Sequence, residues 1–328
     1  MTITRRRLLG TLGASLLAAP ALTGRARAAT RLTVASLLGP DKPETRIWSV
    51  IAEAVEKRLP GAFAFRTVAN AALGGERDVG EGLRLGSVQA SLLTTASLSA
   101  WAPETQILDL PFLFRDHAHL MTVVGGETGA RLKARLAAER FAVPAFIDYG
   151  ARNLIAKAPM ETPASVAGKR IRVLQSPLHA ALWKAYGAYP TAIPIPETYN
   201  ALQNGVVDCM DLTRPAYASL KLYEVVPVMT ETRHIRASGV VAFAGAFWDG
   251  LDAAQREVFT EASVLGATAF QTLMDEEDAK ATAVIEAAGG SHVEPADRAD
   301  WERIGRSIWP DFAETVGGMA RIEAAAAA

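Results

Sequence analysis

Arginine is costly to bury, yet Arg172 alternates with Ile171 and Val173 in the stretch GKRIRVLQSP, Gly168 to Pro177. The stretch reads as a turn, a short strand from Ile171 to Leu174, and a Ser-Pro opening onto a helix. A guanidinium at a strand end suits two kinds of chemistry. It can pair with a neighbouring acid or lie on a solvated strand face, or it can present its planar fork of donors to a carboxylate. On residue types alone the structural ion pair is the plainer reading; Arg170 is expected at the surface. Cys209, the single cysteine, has no histidine constellation to activate it and reads as a small buried hydrophobe. His117 and His119 form a His-x-His, but i and i+2 do not share a helix face and no third ligand stands near. Both are expected at the surface, and His179, His234 and His292 are scattered. No G-x-S-x-G elbow, Walker loop, H-E-x-x-H or paired-cysteine zinc spacing occurs. An exported hydrolase or lyase would need a nucleophile with a base, a metal or a carboxylate pair, and no such set declares itself.

The context of these residues is set by the first segment. Thr4-Arg5-Arg6-Arg7-Leu8-Leu9 is a twin-arginine-type start, followed by an apolar, small-residue run to Leu22 and an Ala26-Arg27-Ala28 cleavage site. Residues 1–28 are expected to be an export signal cut after Ala28, too short and glycine-rich for a membrane span. Its loss removes five of 34 basic residues and none of 35 acidic ones, which leaves a mildly acidic chain. Such a balance gives no electrostatic reason to bind nucleic acid. With half its 328 residues hydrophobic, the chain has enough core for two lobes and needs no disulfide.

The elements that must position Arg172 follow from periodicity. Strands are expected at Arg31 to Ala35, Phe63 to Ala69 and Val88 to Leu93, with helices from Pro43 to Leu59 and Glu76 to Leu85 between them. That is an α/β lobe on a largely parallel sheet. Helices follow at Asp116 to Val124 and Glu127 to Phe141, then a strand from Ala142 to Asn153 long enough to cross between lobes. A second α/β run takes the strands Ile171 to Leu174, Thr191 to Pro194 and Val206 to Asp211, with helices Pro177 to Tyr186 and Glu197 to Asn204. Ile235 to Phe247 could cross back. Helix then dominates, from Asp252 to about Ala288 and from Arg298 to Arg321. Trp301 and Trp309 are read as packing residues, Asp275 to Asp278 as a solvated helix face, and Ala324 to Ala328 as a frayed end. Two lobes joined by more than one crossing suit closure on a small molecule in the cleft.

A series of segments then carries a resemblance: Arg172-Val-Leu-Gln-Ser-Pro, Ala185-Tyr-Gly-Ala-Tyr-Pro, Glu197-Thr-Tyr-Asn-Ala-Leu-Gln-Asn-Gly-Val-Val-Asp208 and Leu222-Tyr-Glu-Val225. Earlier in the chain stand Leu73-Gly-Gly-Glu-Arg77, Leu85-Gly-Ser87 and Leu110-Pro-Phe-Leu-Phe-Arg115. In this order they resemble the DctP-type solute-binding proteins of tripartite ATP-independent periplasmic (TRAP) transporters, over nearly all of the chain after the signal. The resemblance implies a two-lobed α/β periplasmic binding-protein fold with two crossing strands and a long helix spanning both lobes. Lobe I would hold residues 30–150 and about 238–277, lobe II residues 151–237 and about 278–328. It further implies a periplasmic receptor, not an enzyme, that needs no cofactor and delivers a small organic acid to the membrane subunits of a TRAP permease. A ligand-sensing partner of a receptor kinase on the same fold is the alternative.

By the same resemblance Arg172 is the anchor of the ligand carboxylate and Arg152 its assistant. Glu76, Thr94, Ile195, Asp211 and Leu212 complete the expected ligand-binding set. Leu212 stands where an amide often sits, so that hydrogen bond is either missing or supplied instead by Thr213 or Arg214. Thr94 stands where some sugar-acid binders carry a glutamate and Ile195 where they carry an aromatic, which suggests a less polar ligand.

Overall fold

Hydrophobic alternation places strand β1 at Thr30–Ala35, and the segments that follow it in the computed structural model, which describes residues 29–328, build one sheet around it. The expected signal segment and its cleavage site lie outside the described residues. Strands β2 (Phe63–Val68) and β3 (Ala90–Thr94) both lie parallel to β1, with helices Pro43–Arg58 and Glu76–Leu85 as their crossovers. Pro43 opens the first helix, where its missing N–H costs nothing. The second half repeats this pattern. Strand β5 (Arg170–Val173) lies parallel to both β6 (Tyr189–Ala192) and β7 (Cys209–Thr213).

Two long strands join the halves. β4 (Phe141–Ala156) and β8 (Val228–Ala244) run antiparallel to each other; β3 pairs with β8 and β7 with β4. At a rise near 3.3 Å per residue each is about 50 Å long, enough to serve both halves. The order is therefore β2-β1-β3-β8-β4-β7-β5-β6, with β9 (Ser291–Val293) added beside β8. β8 begins earlier than the apolar run from Ile235 implied. The reason is a bulge: Glu231 to His234 face only Asn153 of β4, between the pairs Arg152–Ile235 and Leu154–Thr230. Arg233 adopts a left-handed φ of 46°, and its amide donates to Asn153 Oδ1 at 3.1 Å. Those four residues break the alternation by which a strand is recognised.

The expected long helix is Ala253–Ala287, started by a capping box between Asp252 and Gln255. Its first half buries Phe259, Ala262 and Phe270 against Ile47, Trp48 and Ile51 of the helix Pro43–Arg58. Gly266 permits that approach, since a Cβ there would lie 2.6 Å from Ile51. Farther along, Ala281 and Ile285 enter a separate core with Leu202, Val207 and Tyr217 of the second half. One helix thus braces both halves. No helix among the described residues is long and apolar enough to cross a membrane.

The C-terminal region departs from expectation. Instead of one helix from Arg298, three form, Arg298–Arg306, Trp309–Val316 and Met319–Ala327. Pro310 and the positive-φ pair Gly317 and Gly318 interrupt them. Trp301 and Trp309 do pack, but on separate helices. The end is not frayed: Ile322 and Ala325 are buried, and His119 Nε2 donates to the Ala325 carbonyl at 2.7 Å. His119 is accordingly buried, not at the surface. Arg131 and Arg115 donate to the carbonyls of Val316 and Ala326, so the tail packs on the first half of the chain.

Candidate ligand-binding site

Both halves turn the carboxyl ends of their parallel strands toward a cavity of about 340 Å³. Leu37 and Leu38 follow β1, Asn70 follows β2 and Thr94 ends β3; Arg172 and Leu174 come from the end of β5, Ile195 from beyond β6, Leu212 and Thr213 from β7. Ligands of α/β sheets collect at such ends because the loops there are free to vary over a rigid frame. The crossing strands form the floor, through Tyr149, Arg152 and Ala237. Asn70 and Ala71 hold left-handed φ values of 58° and 52°, fixed by amides that donate to Leu38 and Ser36 carbonyls. Strained backbone of this kind is retained where its surroundings over-determine it.

Arg172 is 3% exposed, and no carboxylate of the described residues lies within salt-bridge distance of it. Its Nε donates to the Ile193 carbonyl at 2.8 Å, while Nη1 is buried without a partner among the described residues. The structural ion pair that the residue types favoured is therefore not what the fold builds. Burial, with the nearby Arg152 adding to it, pushes the guanidinium down to about 10; Asp211 and Glu76 work the other way. It remains a cation at neutral pH. Arg170 is exposed as expected and pairs with Asp208 at 2.6 Å. Residues i and i+2 share a face of a strand, so position at the start of β5, not alternation, keeps Arg170 in water.

Arg152 is held from behind. Its Nε donates to Asp211 Oδ2 at 2.5 Å and its Nη2 to the Asp211 carbonyl at 2.6 Å. Asp211, fully buried, does not line the cavity; it supports the arginine that does. Burial alone would raise its carboxyl, but Arg152 and His234 hold it well below the usual carboxylate range. His234 Nε2 donates to the same Oδ2 at 3.2 Å, and its Nδ1 accepts from the Thr232 hydroxyl at 2.8 Å. Burial keeps this imidazole neutral by lowering its pKa, against the pull of Asp211. The edge of the Trp183 indole fixes the ring at 5.0 Å between centroids. Buried His179, 3.9 Å from Asp109, stands in the same region. These histidines look scattered in the sequence, and the β8 bulge is what turns His234 inward.

The remaining expected residues meet at the cavity wall. Glu76 Oε1 accepts from the Thr94 amide at 2.7 Å, and the Thr94 hydroxyl caps Ser97. Ile195 and Leu212 line the cavity with Leu174 and Leu220, giving it a mainly aliphatic wall. Thr213 lines it as well, whereas Arg214 does not and is taken up by Glu231 and Asp278 at 2.5 and 2.8 Å. Cys209 is buried, and burial pushes its thiol up to about 12, as a structural cysteine requires. Among the described residues no three His, Cys, Asp or Glu side chains converge to hold a metal ion.

Two lining residues carry no advance signal beyond their type. Glu44 sits in the first turn after Pro43, where an acid is ordinary helix chemistry, yet it is 7% exposed and faces the cavity. Tyr149 lies over Gly239, where a Cβ would come within 2.4 Å of its ring and 2.9 Å of the Leu93 carbonyl. Gly239→Ala is expected to cost about 1–3 kcal/mol by overpacking and to displace Tyr149. Urea unfolding measures the first effect. A smaller ligand-induced melting shift reports the second, and an unchanged variant would place the Tyr149 ring elsewhere.

Comparison with known proteins agrees with this geometry. Residues 34–315 match the DctP family, bacterial extracellular solute-binding protein, family 7. A solute-binding protein of Verminephrobacter eiseniae is 33% identical over 249 residues, 76% of this chain and 74% of that protein. A TRAP periplasmic solute-binding protein from Bradyrhizobium sp. BTAi1, solved in complex with α/β-D-galacturonate, superposes with a TM-score of 0.88 at 27% identity. The match covers 91% of this chain and 100% of that one. Another from Shewanella oneidensis, with bound succinate, gives 0.87 at 27% identity over 92% and 99%. A two-half α/β frame with its strand ends around one cavity, matched over nearly its whole length, places this chain among the periplasmic solute-binding proteins of TRAP transporters, in the DctP family of transport receptors.

Proposed function

We propose that this protein captures a small organic acid in the cavity, with the ligand carboxylate on Arg172 and Arg152 assisting, and delivers it to a TRAP permease. The observation that carries this reading is Arg172 itself, a buried guanidinium with one main-chain bond and no acid among the described residues. A carboxylate matches its free donors in shape and charge. Succinate and galacturonate, bound by the two solved relatives, are both carboxylic acids. Ile195, Leu212 and Thr213 would contact the ligand, and Glu76 with Thr94 would shape the far wall. Asp211 serves the ligand indirectly, by fixing Arg152. The start Thr4-Arg5-Arg6-Arg7-Leu8-Leu9 supports export by the twin-arginine route.

The test is a thermal-shift screen of residues 29–328 with C4-dicarboxylates, 2-oxo acids, aromatic acids, sugar acids and the matching amides. A ligand at a hundredfold excess over its Kd adds about 2.7 kcal/mol, a rise of several degrees for a chain of this size. At least one acid should raise the melting temperature while its amide does not. Equal shifts from acid and amide would remove the carboxylate from the mechanism.

A further inference from the structure

The cavity holds more negative charge than a carboxylate receptor needs. Glu44 and Glu76 both line it, and neither has a cation within salt-bridge distance among the described residues. Each is anchored through one oxygen only. Glu44 Oε1 accepts from the Leu37 amide at 3.1 Å and Glu76 Oε1 from the Thr94 amide at 2.7 Å. The second oxygen of each makes no hydrogen bond to the described residues. Of the two arginines in the same cavity, Arg152 is already neutralised by Asp211, and Arg172 stands without an acid.

We propose that Glu44, together with Glu76, makes this cavity select an organic acid that also carries a hydrogen-bond donor, ammonium or hydroxyl, and reject one that carries a second carboxylate. This rests on the reading of Arg172 as the carboxylate anchor. Buried carboxylates must find donors or take up protons. A ligand ammonium or hydroxyl supplies the donor, whereas a second carboxylate would meet two acids of its own sign. Burial, only partly offset by the Leu37 amide, pushes Glu44 up to about 7, with Glu76 adding to the rise. Burial, with the same two acids adding to it, raises the neighbouring Tyr149 hydroxyl well above its ordinary value.

The test compares wild type with Glu44→Gln, which keeps the acceptor for the Leu37 amide and removes the charge. Calorimetric Kd values are measured for butyrate, 4-hydroxybutyrate, 4-aminobutyrate and succinate, and for whichever acids shift the melt in the wider screen. Wild type should bind a donor-bearing monocarboxylate at least tenfold more tightly than the matched dicarboxylate. Glu44→Gln should narrow that ratio at least tenfold if the donor is an ammonium, and about threefold if it is a hydroxyl that a glutamine oxygen still accepts. A wild-type preference for dicarboxylates or unsubstituted acids overturns the proposal, as does a ratio that Glu44→Gln leaves unchanged. Binding of amides as well as acids, or of no acid at all, instead defeats the Arg172 reading on which it rests.

Discussion

Arg172→Ala is expected to abolish the ligand-induced melting shift while leaving the ligand-free protein as stable as wild type or slightly more so. The two halves of this expectation have different causes. Losing one side of a desolvated guanidinium–carboxylate pair costs about 2–5 kcal/mol, a fall in affinity from about 30-fold to several thousandfold. The ligand-free protein has little to lose. Arg172 makes a single bond, to the Ile193 carbonyl, and its charge is disfavoured where it sits. Arg172→Lys sharpens the result, because it keeps the charge and forfeits the planar fork; most of the affinity should still be lost. If Arg172→Ala unfolds the protein or lowers its melting temperature by many degrees, the arginine belongs to the scaffold and the anchor must be sought elsewhere.

Asp211→Asn should do the opposite, damaging the scaffold first. It leaves the buried Arg152 without its counter-charge, an error that costs about 3–5 kcal/mol in a protein interior. The pH dependence identifies the cause. Because the folded-state carboxyl of Asp211 is held well below its ordinary value, its contribution is fully present above the unfolded carboxylate range near pH 4. It is lost as pH falls from there through the folded value. The stability gap between wild type and Asp211→Asn, read by urea unfolding, should hold steady from pH 7 to 5 and shrink below about pH 4. His234, kept neutral by burial, adds to both proteins a separate acid sensitivity that begins nearer pH 6.5 and largely cancels in the gap. A gap that stayed constant down to pH 2.5 would show that Asp211 acts through shape and not through charge.

Much of the frame is legible in the residues because strand alternation and helix periodicity are local. The β-α-β units, the crossing strand ending near Asn153, and the helix from Asp252 can be read within a few residues of their observed bounds. Arg172 is legible for a related reason: a guanidinium between Ile171 and Val173 contradicts its neighbours. What supports Arg152 is not local at all. Asp211 and His234 lie on different strands, and only the four-residue bulge of β8 brings the imidazole to the carboxylate. Glu44 escapes notice because an acid in a first helical turn already has an explanation in the helix dipole. His119 and the terminal alanines mislead for the same kind of reason. His119 looks solvent-facing until the helix 319–327 folds over it, and the terminal alanines look so until that helix docks on the first half of the chain.

The single ladder that runs through both halves also constrains how they can move. β4 and β8 bond to each other along their whole lengths, and each half hangs from them by a further strand, β3 on one side and β7 on the other. The halves share paired strands and not a slack tether, so a movement of one against the other has to twist β4 and β8 and flex the helix Ala253–Ala287 that packs on both. The rungs are already out of step at Asp148 to Gly150 and at Arg152 to Leu154. The second of these slips carries the cavity-lining Arg152. The floor of the cavity and the loosest rungs of the ladder are, in this molecule, the same few residues.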